Sequence, residues 1–460
     1  MSNASAAASD HRPDYTRQPN NSKLKHIPGK NGWPIIGVLP ELRNDVFKLA
    51  ETRWKEFGPI SRVHFGPQPG VLALGPDMAQ TLLLDGDRNF STRMGYDYAL
   101  RPFYGDNLLC LDFDEHKFQR RIMQTSFKTP SMRSYVEIMN PILERGMDAW
   151  VFDDSFRFYE SVKNLLLRMT CKVFYGVEEH DEGSDELAQA FVDILDAQEG
   201  IIRLDLPGLK YHTGKNGQRF LRDYITKLIP IRRAGDGQDM LSHMCKETKP
   251  DGSYFSDEEI VDHASFLLFA AHDTTTSTLN HLMYYLARHQ DWQQRLRDEG
   301  AAQHKDYLDY EDLGNVVELD AAFNEAQRLN PSVTVLVRRS IRECELAGHR
   351  IPANTMIFQL PMFTNRMSDY WTNPHSFDPE RFFPERAEQK GHPFCFMPFG
   401  GGAHKCIGMH FAAMQSKLFM HQFLRKYEFR LPDDYKVAFT YIPMPKIKDG
   451  LPLVVEKRRA

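Results

Sequence analysis

Helical periodicity runs through the middle of the chain, from about residue 112 to residue 330. Apolar residues recur there at the spacing of helices that bury one face. Short polar segments that contain glycine interrupt the pattern, and none has the composition of an interdomain linker. They lie near residues 181–184, 213–217, 234–238 and 249–253. The pattern therefore predicts one mainly helical domain with breaks at these four places.

Shorter β-prone segments lie on both sides of the helical region. Residues 60–74 read as a hairpin, because their apolar side chains roughly alternate on either side of a Gly/Pro turn. From Val333 onward, β-prone pieces and Pro-rich turns surround one more helix at about residues 407–426. The predicted fold class is thus mainly α with small β-sheets in a single domain. We place a flexible polar leader at residues 1–26 and the ordered domain at residues 27–460.

Composition narrows the class of protein. A chain of 460 residues is long enough to enclose a large cavity, and its formal net charge of -5 lacks the basic field that collects phosphates, so we expect no nucleic-acid partner. Its six cysteines are scattered without a CxxC pair, which fits a reducing compartment. The leader contains neither a signal-peptide core nor an apolar span of about 20 residues. These features predict a cytoplasmic protein without a stable membrane anchor.

A glycine-rich loop delivers one cysteine to the start of a helix. The stretch reads FGGGAHKCIG from Phe399 to Gly408, and an apolar helical pattern follows it. Glycines let a backbone approach a flat cofactor closely, while backbone N–H groups and the positive end of a helix stabilise a thiolate. The alternative interpretation is an inert buried cysteine beside a turn. For an isolated cysteine this second interpretation is the more common one, so the surrounding stretch decides between the two.

This stretch resembles the haem-binding signature of the cytochrome P450 family, Phe-x-x-Gly-x-His/Arg-x-Cys-x-Gly, with every defining position filled. The resemblance runs from about Pro28 to Pro452 and implies the triangular, mainly α P450 fold with haem b as the cofactor. It implies that Cys406 is the thiolate ligand of the iron, a ligand that favours O–O cleavage. It also implies that His404 reaches a haem propionate and that Phe399 packs near the sulfur. Cys395 has no such loop around it and is interpreted as a small buried apolar residue.

Three further positions are candidates for binding the propionates. His116 and Arg120 are one helical turn apart and share a face. In the family this His-x-x-x-Arg spacing meets the haem. Arg338 is the third candidate, but Arg339 is adjacent, and the sequence does not decide between them. Each alone could be an ordinary exposed cation, whereas together they supply the partners that buried carboxylates require.

Glu325 and Arg328 form an acid–base pair on one helix face. In isolation such a pair is usually exposed and stabilises by about 0.2–0.5 kcal/mol. Here it precedes the stretch PERF that contains Arg381, and this order resembles the Glu-x-x-Arg and Pro-Glu-Arg-Phe elements of the family. The resemblance implies a buried charge network that fixes the loop holding Cys406.

A long helix is predicted at residues 265–287, and its centre reads AAHDTTT. A threonine hydroxyl there can bond back to an earlier carbonyl and loosen the helical ladder. The stretch resembles the oxygen-activation motif of the family, which implies that Asp273 relays protons from solvent and that Thr274 positions dioxygen through a hydrogen bond. Ala271 stands where the family most often has glycine, and its methyl group narrows the groove. The alternative interpretation is a buried threonine beside a surface aspartate.

The resemblance implies a haem-thiolate monooxygenase that inserts one oxygen atom from O2 into a small apolar organic substrate of lipid, terpenoid or steroid character. Electrons would come from a ferredoxin and ferredoxin reductase that dock near basic residues, namely Lys117, Arg121, Lys128 and Lys405. A peroxide-using enzyme and a non-catalytic haem sensor or carrier are the alternatives, and the Asp273–Thr274 pair argues against the first. The predicted apolar pocket wall comprises residues 96–103, Phe266, Phe269, Ala270, Val333, Val335, Leu336 and residues 442–444.

Overall fold

The computed structural model describes residues 24–200, 203–249, 252–442 and 444–458, and these form fourteen α-helices and eleven short strands. The helices are α1 (Leu39–Phe57), α2 (Pro76–Leu84), α3 (Arg93–Tyr104), α4 (Phe113–Met123), α5 (Thr129–Asp148), α6 (Phe158–Tyr175), α7 (Ser184–Glu199), α8 (Lys210–Ala234), α9 (Met240–Lys246), α10 (Asp257–Arg288), α11 (Gln290–Ala301), α12 (Val317–Leu329), α13 (Pro361–Thr364) and α14 (Met409–Lys426). The strands are β1 (Ile60–Phe65), β2 (Gln68–Ala73), β3 (Phe90–Ser91), β4 (Leu336–Ser340), β5 (Cys344–Leu346), β6 (His349–Ile351), β7 (Met356–Gln359), β8 (Tyr427–Arg430), β9 (Phe439–Thr440), β10 (Lys446–Ile447) and β11 (Val454–Lys457). The predicted fold class is confirmed.

The long helix α10 lies at the centre of the helical core. It packs against α6, α8, α12 and α14, and buried residues line it on all sides, as in helices enclosed by protein. The helix starts earlier than the predicted residue 265 because Ser256 and Glu259 form a capping box, in which the Ser256 hydroxyl accepts from the Glu259 amide at 3.2 Å. The capping box marks the start of the helix in the sequence, but hydrophobic periodicity alone does not reveal it.

The predicted break at residues 213–217 is wrong, since α8 runs through it from Lys210 to Ala234. Its two glycines serve helix packing. A Cβ atom on Gly214 would lie 2.2 Å from the Cβ of Ala197, and one on Gly217 would lie 2.5 Å from the carbonyl oxygen of Ala190. Both neighbours belong to α7, so the glycines allow α7 and α8 to approach closely.

A five-stranded sheet with the order β1-β2-β7-β4-β3 lies beside the helices. The predicted hairpin forms its edge, where β1 and β2 pair antiparallel with Ile60 opposite Ala73. β2 then pairs in parallel with β7, and β4 pairs with both β7 and β3. These pairings place Phe90 and Ser91 of β3 directly beside the strand that carries Arg338 and Arg339.

The predicted leader falls mostly outside the described residues, which begin at Leu24. Leu24 and Ile27 are both buried against β1 and β2, and the Nε2 atom of His26 donates to the carbonyl of Arg350 at 2.7 Å. The packed part of the chain therefore includes residues just before the predicted boundary at 27. No helix within the described ranges has the length and apolar character needed to cross a membrane.

Candidate active site

Five side chains near the middle of helix α10 are partly accessible although the helix lies in the core, and we call this group the window. Every position is buried from Ile260 to Leu268 and again from Thr275 to Tyr284. Between these stretches, a group of side chains one helical turn apart is partly accessible: Phe269, Ala270, Ala271, Asp273 and Thr274. Accessible side chains on a helix that is otherwise enclosed must face an internal space. Ala271 is one of these side chains, so its methyl group faces the same internal space.

Cys406 is held by a closed loop. Its backbone N–H donates to the carbonyl of Phe399 at 2.9 Å, whereas the Phe399 side chain is half-buried. The thiol is accessible, although burial raises its pKa against the opposing effects of the Gly408 backbone, Arg120 and Lys405. A thiol that is both accessible and removed from bulk water faces an enclosed space rather than the outer surface.

The three glycines of this loop have different roles. A Cβ atom on Gly402 would lie 1.6 Å from the carbonyl oxygen of Leu83 in α2, and one on Gly401 would lie 2.5 Å from the ring of Phe394. Only Gly400, with φ +66° and open space around its Cβ position, matches the predicted role of leaving room for a cofactor. The sequence predicts this role for all three glycines. At Gly401 and Gly402, however, glycine is required because the loop packs closely onto Phe394 and Leu83.

Four basic side chains converge beside the loop. The rings of His116 in α4 and His404 are stacked with centroids 3.7 Å apart. Burial lowers the pKa of His116 to about 4, with further contributions from Arg120 and Arg338. Burial also lowers the pKa of His404 to about 2, assisted by His116, Arg338 and Arg120. The Nε2 atom of His116 and the Nδ1 atom of His404 are buried and form no hydrogen bond within the described residues.

Arg338, and not Arg339, faces this cluster. Successive side chains of a strand point to opposite faces, and in β4 Arg338 lowers the pKa of both histidines while Arg339 donates to the carbonyl of Asn354 at 3.3 Å. Arg338 is itself buried, and its Nη1 atom donates to the neighbouring carbonyl of Val337 at 2.8 Å. The register of the sheet thus turns Arg338 toward the two histidines and Arg339 away from them.

Helix α4 links the loop to α10. Gln119 forms a hydrogen bond with the ring of His263 in α10, and the next residue, Arg120, lies beside Cys406. The donor set fits a haem: an accessible thiol, open space beside Gly400, the buried Arg338, the partly buried Arg120 and two buried ring nitrogens. Neither arginine forms a salt bridge with a carboxylate in the part of the chain that the structure describes. Two carboxylates placed here would satisfy groups that are costly to leave buried and unpaired.

Glu325, Arg328 and Arg381 form one buried network. Arg328 binds Glu325 through two nitrogen atoms, at 2.7 and 2.8 Å, and the Nε atom of Arg381 binds the same carboxylate at 3.1 Å. All three side chains are 0% exposed, so the alternative of an exposed surface pair does not apply. The Arg328 guanidinium also lies 5.0 Å from the ring centroid of Trp371.

Hydrogen bonds connect this network to the cysteine loop. Arg328 donates to the carbonyl of Asn365 at 3.0 Å, and the side-chain oxygen of Asn365 accepts from the Met397 amide at 3.2 Å. Met397 in turn accepts from the Gly400 amide at 3.1 Å, at the start of the loop that ends in Cys406. The network thus has a direct physical means of fixing the loop.

The Thr274 hydroxyl donates to the carbonyl of Ala270 at 2.6 Å, as its predicted back-bonding requires. The carbonyl of Thr274 accepts from the hydroxyl of Ser332 at 2.8 Å and from that of Thr278 at 3.0 Å. Ser332 is not predictable from the sequence, because its contact with Thr274 joins residues far apart in the chain and leaves no local pattern.

Asp273 is 13% exposed, so it is not a surface aspartate. Burial raises its pKa, but His272, Lys163 and Lys446 outweigh burial and bring it below the ordinary value. His272, which is completely buried, was not singled out from the sequence.

Aromatic rings pack behind Phe269, the one aromatic side chain of the window. The ring of Tyr104 stacks on Phe269 at 5.0 Å and meets Phe266 edge-on at 6.2 Å. Tyr104 lies one residue beyond the predicted wall segment 96–103. Of the predicted wall residues, Val333, Val335 and Leu336 are partly accessible, as are Ile442 and Met444, while Pro443 lies outside the described residues.

Comparison with known proteins agrees with this geometry. The family model described as cytochrome P450 matches residues 27–447. A Mycobacterium tuberculosis protein that carries the name cytochrome P450 136 is 37% identical over 448 residues, which are 96% of this chain and 90% of that protein. Pentalenene oxygenase of Streptomyces avermitilis is 27% identical over 397 residues, 83% of this chain and 86% of that protein. A solved structure of a cyanobacterial P450 with retinoic acid bound has a TM-score of 0.84 at 24% identity, covering 94% of this chain and 99% of that one, and shows the shared fold.

Proposed function

The chain belongs to the cytochrome P450 family of haem-dependent monooxygenases, and from this we propose that it inserts one oxygen atom from O2 into a largely apolar organic substrate, with haem b as its cofactor. The observation that carries the proposal is the pair of accessible positions within an enclosed core. One is the Cys406 thiol, and the other is the window on α10 around Thr274.

Each part of the site has a role in this reaction. Haem, when bound, supplies the iron chemistry that activates oxygen. Cys406 would be the iron ligand, with Phe399 closing the loop behind it. His116, Arg120, Arg338 and His404 would hold the propionates. Asp273 would deliver protons, and Thr274 would orient the reacting oxygen by a hydrogen bond.

The wall of the cavity indicates the substrate class. Phe269 and Ala270 are partly accessible and present mainly carbon atoms, with Tyr104 and Phe266 packed against Phe269. Burial of apolar surface against such a wall gains about 25 cal/mol per Å². An unpaired polar group in the same place costs roughly 1–3 kcal/mol. The names of two similar proteins, pentalenene oxygenase and taxane 13-alpha-hydroxylase of Taxus cuspidata, refer to terpenoids. We therefore expect a terpenoid, steroid or lipid.

Electrons are proposed to come from a ferredoxin and its reductase in the cytoplasm. Lys117, Arg121, Lys128 and Lys405 are exposed, and they flank the loop that carries Cys406. All six cysteines are free, as a reducing compartment requires. Charge reversal by R121E and K128E should slow reduction by an acidic ferredoxin and weaken its dependence on salt. K436E, another exposed lysine outside this group, is the control and should change neither.

The reaction is tested on the purified holoenzyme. Terpenes, sterols and fatty acids should shift the haem spectrum by displacing water, whereas amino acids and sugars should not. The compound with the largest shift is then supplied with NADPH, ferredoxin, reductase and ¹⁸O₂. One labelled oxygen atom per product is expected. Product formed from peroxide alone would favour the peroxide-using alternative, and an absence of substrate-dependent NADPH consumption would favour the haem sensor or carrier.

A further inference from the structure

His272 lies beside Asp273 at the edge of the accessible window and is completely buried. Its Nε2 atom is 2.8 Å from the carbonyl oxygen of Lys163 in α6, and its Nδ1 atom is 3.3 Å from Oδ1 of Asp273. The ring meets that of Phe191 edge-on at 5.3 Å. The Nδ1 and Oδ1 atoms are both buried, and neither has a hydrogen-bond partner by geometry among the described residues, so the two meet only as an ion-pair contact.

The hydrogen-bonding groups around His272 determine how many protons the His272–Asp273 contact needs. A carbonyl oxygen only accepts, so the Nε2 atom that faces Lys163 must carry a hydrogen. In a neutral imidazole with Nε2–H, the Nδ1 atom has a lone pair, which would face the lone pairs of the Asp273 carboxylate. That arrangement is repulsive in a buried site. A stable contact needs one more proton between Nδ1 and Oδ1, borne by either atom.

We infer that His272 and Asp273 share one proton and act as a single acid beside Thr274. This inference rests on the proposed function. In each turnover the dyad would release that proton toward the reacting oxygen, leaving a neutral imidazole and a carboxylate, and one proton from solvent would restore it. His272 is then a positioning residue, because it acts through Asp273.

The charges that surround the dyad favour this release. Lys163 and Lys446 place their ammonium groups 5.9 and 5.7 Å from the ring centroid of Tyr159, and both stabilise the ionised form of Asp273. The positive field makes the deprotonated dyad less costly than an isolated buried carboxylate would be.

A structural role is the alternative, since the bond to Lys163 anchors α10 to α6. The substitution His272→Gln separates the two roles. A glutamine amide can donate to the Lys163 carbonyl and preserve the anchor, but it cannot hold a proton for Asp273. His281→Gln is the matched control, because His281 is another fully buried histidine of α10, whose Nδ1 atom donates to the carbonyl of Ser277 at 2.7 Å.

The test is a double-mutant cycle on the holoenzyme. H272Q, D273N and the double variant are supplied with NADPH, a ferredoxin and its reductase, and the rate of oxygen consumption is measured in H2O and D2O without added substrate. If the residues act as one unit, each single variant slows the reaction by about 100-fold and raises the solvent isotope effect, and the double variant is no slower. H281Q should match the wild type. The inference would be overturned if the rate losses of the two single variants multiplied in the double variant, or if H272Q consumed oxygen at the wild-type rate.

A second readout does not depend on turnover. In the diamagnetic carbon monoxide complex, the ¹⁵N resonance of His272 Nδ1, assigned by its loss in H272Q, should shift strongly in D273N. An unchanged resonance also overturns the shared proton. Failure of the proposed function itself would be distinct, because the wild type would then lack the carbon monoxide band of a haem thiolate.

Discussion

At the scale of single residues, the role proposed for Thr274 requires its hydroxyl to change partners. It donates to the Ala270 carbonyl in this structure, and that bond lies in the accessible part of α10. Since the Thr274 carbonyl is already held by Ser332 and Thr278, the local helix can keep its shape when the hydroxyl turns toward a ligand. The hydroxyl is therefore available for orienting the reacting oxygen.

We expect Thr274→Ala to leave haem binding and stability nearly unchanged and to divert reducing equivalents from product to peroxide. The ratio of product to NADPH consumed measures this effect, and we expect a fall of roughly tenfold or more. Thr276→Ala is the control, because Thr276 makes the same kind of bond to the His272 carbonyl, at 2.9 Å, but is completely buried. Equal coupling in T274A and wild type would remove Thr274 from the mechanism.

Short motifs made several residues of the site predictable. Cys406, Asp273 and Thr274 stand in local patterns that resemble motifs of the family, and their proposed roles rest on that resemblance. Ser332 was not predictable in the same way, because its partner Thr274 lies far away in sequence. His272 contacts its neighbour Asp273, but its burial and its contact with Lys163 depend on tertiary packing. The choice of Arg338 over Arg339 likewise depends on strand register, which no local pattern encodes.

At the scale of elements, the loop that carries Cys406 depends on the buried network at the end of α12. Glu325, Arg328 and Arg381 are enclosed, and the bonds from Arg328 through Asn365 to Met397 reach the loop. Buried pairs of this kind fix geometry more than they add stability. Loss of one partner, however, leaves the others buried and unpaired.

The substitution Arg328→Ala should lower the free energy of unfolding by about 3–5 kcal/mol and reduce the haem content of the purified protein. Arg295→Ala removes an arginine that binds Glu318 at 3.0 Å and Glu380 at 2.7 Å but is 37% exposed. For this control we expect a loss of about 1 kcal/mol or less. Chemical denaturation and the haem absorbance per protein measure both. Similar losses in the two variants would contradict the importance of the buried network.

Two buried histidines of α10 make the fold sensitive to acid. Burial lowers the pKa of His263 and of His281 to about 4, below the value of about 6.5 in an unfolded chain. Neither state binds the extra proton above pH 6.5, but between about pH 6.5 and 4 only the unfolded chain does. The free energy of unfolding should therefore fall as the pH drops through this range.

Melting temperatures at pH 7.5, 6.5 and 5.5 test this dependence. The substitutions His263→Gln and His281→Gln should make the melting temperature of each variant less dependent on pH than that of the wild type. An identical pH dependence in the wild type and both variants would show that other groups cause the acid sensitivity.

At the scale of the whole molecule, the site is assembled from segments spread along most of the chain. α4 supplies His116 and Arg120, α10 supplies the window, β4 supplies Arg338, and the loop before α14 supplies Cys406. Helical periodicity predicted most of these elements. It did not predict that β2 pairs with β7 or that α7 and α8 meet across glycines, because such contacts depend on tertiary packing.

The central claim is that this molecule holds a haem by the thiolate of Cys406. The most direct test is the absorbance of the reduced, carbon monoxide-bound protein, since a thiolate ligand raises electron density on the iron and gives the long-wavelength band for which the family is named. The wild type and Cys395→Ser should both show this band, because Cys395 is buried and its thiol points to the carbonyls of Glu388 and Gln389. Cys406→Ser should lack it. A band that survives in C406S and disappears in C395S would contradict the account.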